Sequence, residues 1–156
     1  VPDAVDLMVK KELSVADVIL LTLTRTDFLE SITVDTTIDP DALYGKLRKE
    51  GFLHPWAPGV SEHMKRKDIA WFLLALVASQ ENNPSLMSAY QDRYLKDNRK
   101  SPVYDVGVEE YYFSAVLVLV EREIMELPDG IYFYPDRTMS GVEFHEILSL
   151  LSQRYG

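Results

Sequence analysis

The chain of 156 residues contains no cysteine. This absence excludes disulfide frameworks, thiolate zinc sites and cysteine nucleophiles together. It also agrees with the reducing cytoplasm, and we therefore expect a cytoplasmic protein. Histidine is nearly as scarce, because only His54, His63 and His145 are present. None of the three has the spacing of a two-histidine metal motif, so we expect no metal site.

Long apolar runs and glycine motifs are also missing. The longest uncharged apolar run covers residues 69–80, well short of the roughly twenty residues that span a bilayer. The seven glycines form no phosphate loop, dinucleotide fingerprint or nucleophile elbow. We expect no membrane association, no cofactor and no enzyme, although a site assembled from distant residues leaves no local motif. The start at Val1, without Met or a signal-peptide pattern, indicates a trimmed or processed terminus.

Apolar side chains are abundant enough for one core. They make up 47% of the residues, including six Phe, nine Tyr and two Trp, in a chain of ordinary single-domain size. We therefore predict one globular domain over 1–156. Within it, residues 1–80 form a helix-turn-helix-like half and residues 81–156 an acidic helical half.

Helix start and stop signals predict a mainly α fold. Ser14 with Asp17 resembles a capping box and predicts a helix over about 14–25. Asp39-Pro40 combines a cap with proline at the first helical position, and Gly51 is suited to end a helix from Pro40 to Glu50. Leu43 and Leu47 lie one helical turn apart and mark the inner face of that helix.

Further helices are predicted downstream. The segment 69–78, which includes Trp71, is apolar on nearly every face and predicts a buried central helix. Asn83-Pro84 predicts another start, and residues 108–126 predict a longer helix with a strand as an alternative in its middle.

Three segments have weaker helix signals. The Thr-rich stretch 31–37 predicts a loop or a short extended piece. Residues 131–134 are aromatic and β-branched and predict a strand. Residues 142–144 could form the second strand of a short β-hairpin with it. Ser140 with Glu143 is a competing capping pattern, and we favour a helix after Ser140.

The charge is unevenly distributed. The net charge of −9 argues against nucleic acid, because an acidic surface repels phosphates. Residues 44–100, however, hold ten of the sixteen basic residues and only six acidic ones. The flanking stretches 1–43 and 101–156 carry net charges of −6 and −7. This split indicates a bipolar molecule.

The residues with most functional content lie between 39 and 67. A short capped helix carries the first cations, and a loop then leads to a second basic cluster. This layout is suited to phosphate contacts on duplex DNA. The candidate nucleic-acid-binding residues are Lys46, Arg48, Lys49, Lys65, Arg66 and Lys67. In the alternative, Leu43, Leu47 and Phe52 only pack on the helix that contains Trp71, and the cations solubilise the outer face.

The sequence Asp39-Pro40-Asp41-Ala42-Leu43-Tyr44-Gly45-Lys46-Leu47-Arg48-Lys49-Glu50-Gly51-Phe52-Leu53 resembles the recognition helix and exit of helix-turn-helix proteins. The loop 58–60 and the helix start at 66–68 are similar to small DNA-binding proteins carried by bacterial prophages. The similarity covers about a third of the chain. It implies that the helix 40–50 enters a groove while nearby basic residues contact phosphate.

The resemblance leads to a functional hypothesis with one alternative. We expect a non-enzymatic DNA-binding or phage-associated protein with a regulatory or packaging accessory role. The alternative is an acidic protein-interaction or structural module that binds no nucleic acid. Under either hypothesis the acidic half, residues 81–156, is a candidate surface for protein partners or for self-association into an oligomer.

Overall fold

The computed structural model describes residues 4–33 and 39–156. In chain order the helices of these residues are α1 (Ala4–Met8), α2 (Val15–Arg25), α3 (Glu30–Thr33), α4 (Pro40–Lys49), α5 (Arg66–Gln80), α6 (Ala89–Lys96), α7 (Phe113–Glu121) and α8 (Gly141–Tyr155), with a 3₁₀ helix at Pro84–Met87. The described residues form no sheet and only two isolated β-bridges, Ser14 with His63 and Lys65 with Thr138. The prediction of a mainly α fold is confirmed.

The chain divides into two compact units. The first combines Val1–Lys65 with Thr138–Gly156, and the second is Arg66–Arg137. The sequence analysis predicted an internal division after residue 80 instead. The difference arises because α5 packs on α7 and on the 3₁₀ helix, and therefore belongs with the residues that follow it.

Helix α2 is central to the first unit and contacts α1, α4 and α8. It begins at the predicted capping box: Ser14 Oγ accepts from the Asp17 N–H at 3.1 Å, and the Asp17 carboxylate accepts from the Ser14 N–H at 2.9 Å. The predicted helix over 14–25 is thus confirmed. Most of its circumference is buried, through Val15, Val18, Ile19, Leu20 and Leu21.

Helix α4 follows its sequence signals closely. The Asp39 side chain accepts from the Asp41 N–H at 3.1 Å, and Pro40 is the first helical residue. Leu43 and Leu47 are buried, as predicted, and α4 contacts α2 rather than the Trp71 helix that the alternative named. Gly51 follows the helix with φ of +87°, the left-handed region that glycine enters without steric cost.

Helix α8 is the last element of the first unit, and it shows that a helix rather than a hairpin strand follows Ser140. Ser140 Oγ accepts from the Glu143 N–H at 3.2 Å, so the capping pattern prevails over the hairpin. Gly141 lies against the end of α1, where a Cβ would come within 2.0 Å of the Leu7 carbonyl oxygen. Only glycine permits this approach of the two helices.

Helix α5 is the core of the second unit and confirms the predicted buried helix. Its apolar side chains from Ile69 to Ala78 are buried with one exception. Trp71 is partly exposed, with its ring edge-on to Tyr111 at a centroid distance of 6.1 Å. Phe72, the next residue along the helix, is fully buried.

The strand predicted over 131–134 is wrong. These residues do not pair with another strand, because carboxylates accept hydrogen bonds from their N–H groups. Asp129 Oδ1 accepts from residues 131 and 132 at 2.9 and 2.8 Å, and Asp105 accepts from residues 133 and 134 at 2.8 and 2.9 Å. Side chains therefore replace the neighbouring strand that a β conformation needs.

Three other boundaries differ from the predictions. The helix predicted over 108–126 is restricted to α7, and the start at Asn83-Pro84 opens a 3₁₀ helix before α6. Residues 31–33 of the Thr-rich stretch are helical, within α3, and its remainder, 34–37, lies outside the described residues.

Among the described residues no helix is both long and apolar enough to cross a membrane.

Candidate nucleic-acid interface

The last turn of α4 carries three of the predicted cations. With Leu43 and Leu47 turned inward, Arg48 and Lys49 are exposed and Lys46 is half-buried. Cations at this end also complement the helix dipole. Lys46 and Lys49 form no hydrogen bond or ion pair within the part of the chain that the structure describes. Both ammonium groups are therefore available to an anionic ligand.

Arg48 has a different role, because it fastens the following loop to α4. One guanidinium nitrogen donates to the Pro55 carbonyl oxygen at 2.9 Å, and another donates to the Tyr44 hydroxyl at 3.3 Å. The Tyr44 hydroxyl in turn donates to the Pro58 carbonyl oxygen at 2.9 Å. The loop is thus attached to α4 on both sides of Trp56.

Trp56 projects from this loop with 75% of its surface exposed. Its backbone N–H donates to His54 Nδ1 at 3.0 Å, and the two rings meet edge-on at 5.3 Å. Partial burial, and then the positive charge of Arg48, lower the pKa of His54, which favours the neutral ring that accepts this bond. The indole is consequently presented to solvent from an ordered support.

The second basic cluster does not present three equivalent cations. Lys65 is exposed. Arg66 is only 5% exposed: its Nε donates to the Phe133 carbonyl oxygen at 2.9 Å, and a terminal nitrogen donates to the Glu126 carbonyl oxygen at 3.0 Å. The prediction of Arg66 as a phosphate contact is wrong, because the core has already satisfied its guanidinium. Lys67 pairs with Asp136 at 3.0 Å.

The candidate interface therefore consists of the last turn of α4 and the loop fastened to it. We call it the Trp56 surface and define it as Lys46, Arg48, Lys49 and Trp56. The sequence analysis identified the cations and the loop but did not select Trp56. The available signal was a large aromatic residue between two prolines, directly after a basic helix.

A hollow elsewhere in the first unit is lined by charged side chains that pair with one another. It is lined by cationic and anionic side chains together, including Lys10, Glu12, Asp17 and His63. Lys10 pairs with Asp17 at 2.9 Å, and His63 Nδ1 lies 3.3 Å from a Glu12 oxygen. No cluster of His, Asp and Glu that could hold a metal ion occurs within 4–33 and 39–156. The Trp56 surface is the stronger candidate.

Comparisons of the chain with protein-family models, with curated proteins and with solved structures give no match. The chemistry of the Trp56 surface is therefore the basis for a function.

Proposed function

We propose that the chain is a non-enzymatic DNA-binding protein whose contact region is the Trp56 surface. One observation carries the proposal: an exposed indole stands on a loop that Arg48 fastens to α4, whose Lys46 and Lys49 pair with no residue of the described ranges. Lysines gain affinity for DNA by releasing condensed counterions from phosphates. A supported aromatic ring adds stacking on bases or insertion between base steps.

The charges along α4 set its orientation on DNA. Asp39 and Asp41 lie at the first turn, whereas the cations lie at the last. A recognition helix usually enters the major groove with its N-terminal residues toward the bases. Here those residues are carboxylates, which phosphates repel. The C-terminal turn and the Trp56 loop therefore approach the duplex first.

This orientation modifies the helix-turn-helix hypothesis without replacing it. The likeness of residues 39–53 to a recognition helix supports a regulatory or packaging accessory role of the phage-associated kind, in the cytoplasm. In this role the protein contributes binding rather than chemistry.

A second candidate function is a protein-protein interface at the same surface. Trp, Tyr and Arg dominate the binding energy of protein hot spots, and Trp56, Tyr44 and Arg48 lie together here. The net charge of −9 favours this candidate over DNA. Its binding energy would come from apolar burial and would depend less on salt.

Binding of a labelled duplex at low salt separates the two candidates. We expect the double reversal Lys46→Glu and Lys49→Glu to weaken binding about tenfold or more, equivalent to about 1.4 kcal/mol. Trp56→Ala should also weaken it. The matched control reverses Lys96 and Lys100, exposed cations at and beyond the end of α6. Equal losses in both double variants would refute a localised site, and no binding by the wild type would refute the function.

A further inference from the structure

Three tyrosine rings form a second aromatic surface, in the unit Arg66–Arg137. Tyr104 and Tyr132 meet edge-on with centroids 5.1 Å apart, and Tyr132 and Tyr134 are 5.6 Å apart. Tyr104 is 78% exposed and the neighbouring Ile131 is 55% exposed. We call this set of three rings the tyrosine cluster. Large exposed aromatic groups of this kind mark interaction sites.

The backbone that carries the cluster is held from two directions. Asp105 accepts from two successive N–H groups and Asp129 from the two before them. Phe133 is fully buried, whereas Tyr132 and Tyr134 on either side of it are partly exposed. Tyr134 has φ of +60°, a conformation that a bulky residue keeps only when its surroundings impose it. The rings are therefore positioned before any ligand arrives.

The stretch of chain that carries the cluster is strongly acidic. Residues 101–137 contain eight Asp and Glu and only two Arg, a net charge of −6. The Tyr132 N–H, the Tyr134 hydroxyl and the Ile131 N–H stabilise the Asp129 carboxylate and lower its pKa to about 2. Asp129 is thus ionised beside the rings at neutral pH. Such a field attracts cations and repels phosphates.

The cluster already holds one cation from its own chain. The guanidinium carbon of Arg137 lies 3.5 Å from the centroid of the Tyr134 ring. Guanidinium groups stack on aromatic rings and pair with carboxylates in the same plane. Arg137 shows that the geometry here accepts this chemistry.

We propose that the tyrosine cluster binds an arginine side chain from a basic peptide segment of a partner protein. Tyr104 and Tyr132 supply the ring surfaces, and Asp105 and Asp129, which bond to the same segment, supply the complementary charge. This site is separate from the Trp56 surface and does not depend on DNA binding. Under this proposal the acidic half, residues 81–156, binds a partner of defined chemistry, a basic peptide.

A labelled nona-arginine peptide tests this proposal by fluorescence anisotropy. We expect wild-type protein to bind it more tightly than nona-lysine, because the planar guanidinium stacks better than an ammonium group. Tyr104→Ala should weaken nona-arginine binding about two- to fivefold, and the double variant with Tyr132→Ala about tenfold or more. Tyr104→Phe keeps the ring and should bind like the wild type.

Val9→Ala is the matched control, since it removes an equally exposed apolar side chain from the other unit. It should leave peptide binding unchanged, while circular dichroism confirms that each variant is folded. Equal affinity of Tyr104→Ala and wild type would overturn the proposal in favour of diffuse charge attraction. A wild-type dimer that Tyr104→Ala dissociates, without peptide, would overturn it in favour of a second copy of this chain.

Discussion

The guanidinium carbon of Arg66 lies 4.5 Å from the centroid of the Phe133 ring, and Arg66 Nε donates to the carbonyl oxygen of the same residue at 2.9 Å. Both residues are buried. The contact joins the start of α5 to a segment 67 residues further along the chain. It explains why the middle member of the basic cluster 65–67 is a structural residue.

Removing this side chain should destabilise the protein. Arg66→Ala leaves the carbonyl groups of Phe133 and Glu126 without their charged donor, and we expect a loss of about 2–4 kcal/mol in the free energy of unfolding. Denaturant unfolding measures it. A loss below about 1 kcal/mol would show that water replaces the guanidinium at little cost.

The approach of Gly141 to α1 predicts a second sensitive position. In Gly141→Ala the new methyl group meets the Leu7 carbonyl oxygen at 2.0 Å, so α1 and α8 must separate. We expect a loss of about 2 kcal/mol or more. Gly45→Ala is the control, because its Cβ meets nothing within 4 Å in the interior of α4. That variant should gain about 0.5–1 kcal/mol from helix propensity.

Within α5, adjacent aromatic residues should differ in cost. Phe72 is fully buried and Trp71 partly exposed, so Phe72→Ala should cost about 3–5 kcal/mol and Trp71→Ala clearly less. Unfolding midpoints of the two variants make the comparison. A greater loss for Trp71→Ala would place the core of the second unit on the Trp71 side of the helix.

Local sequence signals predicted the starts of helices well, but they did not predict the conformation of segments that depend on distant residues. The caps at Ser14, Asp39 and Ser140 each satisfy N–H groups within three residues, so the sequence contains all that these starts require. Residues 131–134 have strand propensity, but their backbone conformation depends on hydrogen bonds to Asp105, a residue distant in sequence. Strand propensity is a local property and does not account for such a partner.

The same limit applies to the candidate site. The spacing of Leu43 and Leu47 correctly placed Arg48 and Lys49 on the outside of α4. Arg66 was grouped with Lys65 and Lys67 because the three are adjacent, whereas its burial depends on Phe133 and Glu126. The exposure of Trp56 follows from two hydrogen bonds to α4, at Pro55 and Pro58, that span seven and fourteen residues and have no helix or turn signature in the sequence.

The pKa of His54 gives the Trp56 loop a pH dependence. In the folded chain it lies below the ordinary value of 6.5, through burial and the nearby Arg48, so protonation favours the unfolded state. This contribution to stability is complete above pH 6.5 and is lost as the pH falls through the lower folded value. His54→Gln should reduce the loss of unfolding free energy between pH 7 and 5, compared with wild type. An unchanged pH profile would show that His54 titrates normally.

The salt dependence of duplex binding tests the central claim most directly. If Lys46, Arg48 and Lys49 each neutralise one phosphate, log K against log salt should have a slope of about −2.7 for the wild type. In the Lys46→Glu and Lys49→Glu variant the slope should flatten to about −0.9, while reversal of Lys96 and Lys100 leaves it unchanged. A slope that the first pair does not alter, or no binding at low salt, would contradict DNA binding by the Trp56 surface.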